Sequence, residues 1–243
     1  MHPERGVSII TATFNERENV HLLLEAIDQA MTDCKHEIIV VDDNSTDGTV
    51  SILLNEMNKR NSLKVIVNKK REGLVKSNMI GLREAKGEIK VVMDADLQHP
   101  PEEIPMMLNF IEGNDAVIMS RFLPGSRIEA FDPARQFITT TAIFLCHTMI
   151  PETRSFSDPL SGFFALGEKI NIPYDPVCEL LDGKRAFKTL IPIIIYNTRK
   201  KIVEAPFTFR RRNWGRSKLV RDNIPIPRYI MELNAYRELT REA

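Results

Sequence analysis

The chain has 243 residues, 43% hydrophobic and 27% charged, which is enough apolar content for a substantial core beneath a water-facing surface. Lys plus Arg number 33 and Asp plus Glu 33, so the formal net charge is zero; this argues against a nucleic-acid partner and leaves anion recognition to local patches. Three scattered cysteines (Cys34, Cys146, Cys178) spell neither a disulfide framework nor a zinc site, and they suit a reducing compartment. The opening MHPERGVSII lacks the apolar region of a signal peptide. FITTTAIFLCHTMI (137–150) is the most lipid-like stretch. It is too short to span a bilayer, which takes about 20 apolar residues, but a helix there can lie on a membrane surface.

In chain order, VSIITAT (7–13) predicts a strand, and residues 17–31 a helix with Val20, Leu23, Leu24 and Ile27 on one face. EIIVVD (37–42) is a second strand. After the turn DNSTDGT, Thr46 or Asp47 is placed to cap a helix running to about Asn58. LKVIVN (63–68) is a third strand and LVKSNMIGLREA a third helix; IKVVMD (89–94) is a fourth strand. The prolines of PPEEIPMMLNFIEG fall where a first helical turn tolerates them, and DAVIMS (115–120) is a fifth strand. Beyond it we expect a helix over about 133–150, a strand at SGFFALG, a mixed region at 171–200, a strand at IVEAPFTF (202–209) and a helix from about Pro227 to Glu242.

Near-continuous apolar strands separated by helices predict an α/β fold, with a mostly parallel sheet covered on both faces. Ligands of such sheets bind outside the carboxyl ends of the strands. Polar clusters fall at three of those ends: Asn15 and Glu16, Asp42 and Asp43, and Asp94 and Asp96. Within VVMDADLQHPPE, Asp94 and Asp96 offer hard oxygen ligands to a divalent cation such as magnesium or manganese, and Gln98 adds another. The competing structural account is a pair of acids capping the helix that follows. Asp42 and Asp43 likewise serve either a ligand or their own turn.

No glycine fingerprint for a dinucleotide follows the first strand, where the sequence is FNERENV, so a redox enzyme on a dinucleotide fold is set aside. The basic run RRRNWGRSKL (210–219) gathers five cations around Trp214. Arg suits bidentate phosphate recognition and Lys acts as a point charge; a solvated charge run is the plainer account. Arg121 and Arg135 extend the same positive lining.

Taken together and in order, VSIITATFNERENV, IIVVDDNSTDGT, VVMDADLQHPPE, SRF, SDPLSGFFAL and EAPFTFRRRNWGRSKL resemble the dolichyl-phosphate mannose synthases, family 2 glycosyltransferases of the GT-A fold. The resemblance runs from about Gly6 to Leu219. It implies one glycosyltransferase domain over 1–243, with a nucleotide-sugar half (6–120), an acceptor half (121–219) and a C-terminal helix (220–243). The activity implied is inverting transfer of mannose from GDP-mannose to dolichyl or another polyprenyl phosphate, with Mg2+ or Mn2+. By position, Ala12, Phe14, Glu16, Val41 and Asp43 would meet the guanosine. Asp94, Ala95 and Asp96 would meet the diphosphate, with Asp94, Asp96 and Gln98 holding the metal. Arg121, Arg212 and Lys218 would complete the donor and phosphate site, while Arg135 and Thr139, with Arg121, would meet the acceptor phosphate. Asp96, Arg121, Arg135, Arg212 and Lys218 would carry the chemistry.

Three departures from the family pattern stand out. Ala12-Thr13-Phe14 replaces the usual Pro-Thr-Tyr, and Pro192 stands where archaeal members carry an acid. The C-terminal transmembrane helices of many members have no counterpart before Ala243. A lipid acceptor then requires peripheral docking, for which the helix from Arg135 offers Phe137, Ile138, Ile143, Phe144, Leu145 and Met149 (ordinary core packing being the competing account), or a membrane-anchoring subunit. The expected location is the cytoplasmic face of a membrane, endoplasmic reticulum in a eukaryote or cell membrane in an archaeon. Alternatives are a polyprenyl-phosphate glucosyltransferase using UDP-glucose and a non-catalytic nucleotide-sugar-binding subunit.

Overall fold

The computed structural model describes residues 6–129, 133–181, 188–212 and 226–240. Seven strands form one sheet in the order β3-β2-β1-β4-β7-β5-β8. They are β1 (Val7–Thr13), β2 (His36–Asp42), β3 (Leu63–Val67), β4 (Ile89–Asp94), β5 (Ala116–Ser120), β7 (Phe164–Leu166) and β8 (Ile202–Pro206). A separate two-stranded ribbon pairs β6 (Arg127–Ile128) with β9 (Thr208–Phe209). All pairings in the main sheet are parallel except those of β7, which runs antiparallel between β4 and β5.

Side chains on successive strand residues point to opposite faces, so each strand feeds two cores. On one face Ile9, Ile38, Val40, Val91, Met93, Val117 and Met119 pack with α1 (Val20–Ala30), Leu53 of α2 (Thr49–Met57) and α4 (Ile104–Ile111). On the other, Ile10, Val92, Ile118, Phe164 and Leu166 pack with α3 (Leu74–Glu84), α5 (Pro133–Met149), α6 (Tyr174–Leu180), α7 (Leu190–Tyr196) and α8 (Ile226–Leu239). Helix α3 approaches β1 so closely that a Cβ on Gly81 would lie 2.4 Å from Ile10 Cγ2. Only glycine fits there.

The five strands and four helices of the first half lie within a few residues of their sequence-based positions. Helix α1 starts at Val20 rather than residue 17, and Gly48, with φ of +97°, sets the start of α2. Neither Thr46 nor Asp47 is the N-cap, which is Gly48 with no side-chain cap hydrogen bond; Asp47, one residue earlier, accepts at Oδ1 from the Thr49 amide at 3.0 Å and the Thr49 hydroxyl at 2.6 Å. The stretch 202–209 is not one strand; it breaks at Phe207 to leave the main sheet for the ribbon. No described helix is long and apolar enough to cross a membrane.

Candidate active site

Strands β1, β2, β4 and β5 end on the same side of the sheet, and the chain leaves three of them through left-handed residues: Asn15 (φ +55°), Asn44 (+64°) and Leu97 (+61°). Asparagine tolerates this conformation, whereas leucine does not. Strain at Leu97 therefore accompanies the turn carrying the acid pair. These ends frame a cleft of about 400 Å³.

One end of the cleft belongs to the loops after β1 and β3. Phe14 lines it, and the Arg71 guanidinium lies 3.9 Å from the Phe14 ring centroid. Ala12 and Glu16 line it as well; Glu16 is buried, with Oε2 accepting from Asn19 Nδ2 at 2.7 Å. Asp43 is there too, but its carboxylate already accepts three bonds, from Asn68 Nδ2 (3.1 Å) and the amides of Glu72 (2.7 Å) and Gly73 (2.9 Å). It holds the loop that carries Arg71. Asp42 shapes its own turn, accepting from Thr13 and Ser45. The Val41 side chain is buried, with its Cγ2 near Gly81 of α3.

The acid pair sits at the centre. Asp94 is part-exposed, and its backbone amide donates to His99 Nδ1 at 3.0 Å. His99 is buried, stacked on Phe163 and edged by Phe207 and Phe209. Burial pushes its pKa down against the pull of Asp94 and Asp96, so the ring is neutral with its proton on Nε2. Asp96 is buried; Oδ1 accepts from the Gln98 amide at 3.1 Å and Oδ2 from Arg212. Gln98 ties this turn to the basic segment, donating from Nε2 to the Arg210 carbonyl at 3.0 Å and accepting the Arg210 amide at 3.0 Å.

The other end is cationic. Asp158, fully buried, receives Arg121 Nε at 2.7 Å and Nη2 at 2.8 Å. Burial alone would lower the Arg121 pKa, but Asp158 outweighs it and holds the guanidinium charged. Arg121 and Arg135 approach one ring, with Cζ atoms 5.6 and 5.5 Å from the Phe209 centroid. Lys188 lines the same wall, its pKa lowered by burial and by Arg121. Thr139 keeps its hydroxyl on the Arg135 carbonyl at 2.9 Å. Lys218 and Trp214 lie outside the described residues.

Of the residues singled out from sequence, Ala12, Phe14, Glu16, Asp43, Asp94, Ala95, Asp96, Gln98, Arg121, Arg135 and Arg212 line this one cleft. Arg71, Asn78, His99, Lys188 and Thr189 line it too and were not anticipated. His99 stands inside the quoted acid motif, and Asn78 interrupts an apolar stripe; both were visible signals. Among the described residues no three His, Cys, Asp or Glu side chains converge as a ready-made metal cage. A cation held by Asp94 and Asp96 would need further oxygens from Gln98 or from a ligand's phosphates, which is how magnesium is commonly bound.

The model of the family "Glycosyl transferase family 2" matches residues 8–169. The chain is 40% identical over 216 residues to the dolichol-phosphate mannosyltransferase of Pyrococcus furiosus, covering 88% of this chain and 59% of that protein. It is 34% identical over 222 residues to the Saccharomyces cerevisiae protein of that name, covering 87% and 80%, and 31% identical over 234 residues to that of Mycosarcoma maydis, covering 93% and 77%. The chain thus spans somewhat over half the archaeal relative's length. Among solved structures, glucosyl-3-phosphoglycerate synthase from Mycobacterium tuberculosis, in complex with Mn2+, uridine-diphosphate and glucosyl-3-phosphoglycerate, superposes with a TM-score of 0.65. The identity is 18%, with 96% of this chain and 80% of that one covered. That likeness is one of fold, and it agrees with the GT-A architecture expected from the sequence.

Proposed function

The chain belongs to glycosyl transferase family 2, and from that premise we propose that it transfers mannose from GDP-mannose to the phosphate of dolichol or another polyprenol, with inversion at the anomeric carbon. The observation that carries this reading is the polarity of the cleft. The acid pair Asp94/Asp96 stands at its centre, and Arg121, Arg135 and Lys188 form the wall beyond it. Two anionic substrates require that arrangement, one held through a cation and the other by fixed positive charge. The similarity to dolichol-phosphate mannosyltransferases over most of the chain supports the choice of sugar and lipid.

In the proposed reaction an acceptor phosphate oxygen attacks the sugar C1 with a lone pair. The bond from C1 to the β-phosphate oxygen breaks, and GDP departs with those electrons. No proton has to be removed, because a phosphate monoester is largely doubly ionised at pH 7, its second pKa being about 6. The site therefore needs no carboxylate base, consistent with Pro192 at the position where an acid stands in archaeal members. It does need to bring two anions together. Arg121, fixed by Asp158, presents a rigid guanidinium plane, and Arg135 shares its ring support on Phe209. Charge-assisted hydrogen bonds from such groups are roughly twice as strong as neutral ones. Thr139 and Lys218 are proposed to complete the phosphate site.

Asp94, Asp96 and Gln98 fit a divalent metal in donor type, and Mg2+ or Mn2+ there would neutralise charge on the departing diphosphate. Arg212 donates to Asp96 Oδ2 and is proposed to contact the donor phosphates as well. Docking to the cytoplasmic face of a membrane is proposed through α5, where Phe137, Ile138 and Phe144 are 69%, 59% and 67% exposed. An isolated soluble surface rarely leaves large apolar groups so open on one helix.

The test incubates purified protein with radiolabelled GDP-mannose, dolichyl phosphate and manganese in detergent. Label should enter the organic phase, and EDTA or Asp96→Ala should abolish its transfer. Transfer from UDP-glucose but not GDP-mannose would overturn the donor assignment, and full activity of Asp96→Ala would overturn the metal site.

A further inference from the structure

Asn78 sits on the stripe of α3 that carries Leu74 and Leu82 at four-residue spacing, and only 4% of it is exposed. One end of its amide is held by Thr189 of the segment before α7, Nδ2 to Oγ1 at 2.9 Å. The other end, Oδ1, is buried without a hydrogen-bond partner. Buried polar atoms in native proteins are nearly always paired, so an open one asks for a reason. Both residues line the cleft.

The Thr189 hydroxyl can donate or accept, so the amide can turn over without losing that bond. Either its carbonyl or its NH2 is then left without a protein partner. A ligand group that both donates and accepts satisfies either orientation, and that group is a hydroxyl.

Position narrows the ligand further. Lys188, next to Thr189, reaches the Leu160 carbonyl with Nζ at 3.4 Å. Two residues on, Gly162 lies so near the acid pair that a Cβ there would be 3.2 Å from Asp94 Oδ1. Asn78, Thr189, Lys188, Leu160 and Gly162 thus form a continuous wall ending at Asp94. Phe14 and Arg71 line the cleft from the loops after β1 and β3, the second of which leads into α3. What lies beyond a diphosphate held at Asp94 and Asp96, on the side away from the base, is the sugar.

We infer that Asn78 is a specificity-determining residue, its amide hydrogen-bonding one hydroxyl of the donor sugar. The inference rests on the reading of the cleft as a nucleotide-sugar site. Thr189 is a positioning residue that fixes the amide plane.

The test compares wild type with Asn78→Leu, similar in size but apolar, and Asn78→Ser, by competition binding. The competitors are GDP, GDP-mannose and its 2-, 3-, 4- and 6-deoxy analogues. Wild type should lose on the order of tenfold in affinity toward one deoxy analogue, the scale of one buried hydrogen bond. Asn78→Leu should bind that analogue and GDP-mannose alike, and bind GDP as wild type does. A uniform loss for GDP and all sugars would assign Asn78 a structural role and overturn the inference. So would a wild type indifferent to every deoxy change, a result that needs no variant to fold. If UDP-glucose binds and GDP-mannose does not, the donor assignment fails, and the deoxy series of UDP-glucose decides the role of Asn78 by the same ratios. If no nucleotide sugar binds at all, both fall together.

Discussion

Arg121 and Asp158 form a two-pronged ion pair across the cleft wall, Nε to Oδ2 at 2.7 Å and Nη2 to Oδ1 at 2.8 Å, and the Arg121 amide adds a third bond to Oδ2 at 3.2 Å. Asp158 is fully buried, and its own backbone is held by Glu204, which accepts the Ser157 and Asp158 amides. The SDPLSG segment and the end of β5 are therefore locked to β8, and the guanidinium is held in a fixed orientation.

Removing one partner of such a pair leaves a buried charge uncompensated, which costs about 3–5 kcal/mol. Asp158→Ala should lower unfolding stability by that order in urea titration. Glu204→Gln keeps the pair and should cost less. Equal stability of Asp158→Ala and wild type would show that Arg121 relaxes into water.

Stacking of Arg71 on Phe14 marks the end of the cleft assigned to the nucleobase. Phe14→Ala should weaken GDP binding by about 1 kcal/mol, roughly fivefold in Kd by calorimetry. Phe14→Tyr, the residue usual in the resembling family, should retain affinity. An unchanged Kd in Phe14→Ala would move the base elsewhere.

Stability at alkaline pH should report Cys146. The thiol is buried on α5, and burial raises its pKa from 9.0 to about 11. Between those values the unfolded chain loses the proton while the folded chain keeps it. The folded state then binds more protons, and stability falls as pH rises. The contribution is intact below pH 9 and diminishes toward 11, by on the order of 2–3 kcal/mol. Wild type should lose more stability than Cys146→Ala over this range, measured by denaturant unfolding at fixed pH. Parallel curves would assign the alkaline loss to other groups.

The exposed aromatics of α5 should govern lipid association. Burying one phenylalanine is worth about 1.5–3 kcal/mol, so Phe137→Ser with Phe144→Ser should reduce co-sedimentation with vesicles by well over tenfold. Transfer to a short-chain, detergent-soluble acceptor phosphate should survive. Undiminished vesicle binding would place the membrane contact on another face.

The first half of the fold was legible in sequence because its strands are apolar runs rich in β-branched residues. VSIITAT and IKVVMD fall on β1 and β4 residue for residue. The acid pair was legible for a related reason: carboxylates directly after a buried strand stand where open α/β sheets bind ligands. What local pattern determined was each element and its exit point. The antiparallel entry of β7 between β4 and β5 was not visible, since three residues, FAL, carry no direction of their own. The path through α5 and the SDPLSG loop sets it. The same holds for the far wall of the cleft. Asn78 meets Thr189 across 111 residues, and Arg121 meets Asp158 across 37. Hydrogen bonds reach about 3 Å, so such partners are fixed only when two distant segments are packed on one sheet. Sequence alone determined the strands, the acid pair and the family resemblance. Tertiary structure decided which cations face that pair, which carboxylates are spent on their own loops, and which buried amide oxygen is left without a protein partner.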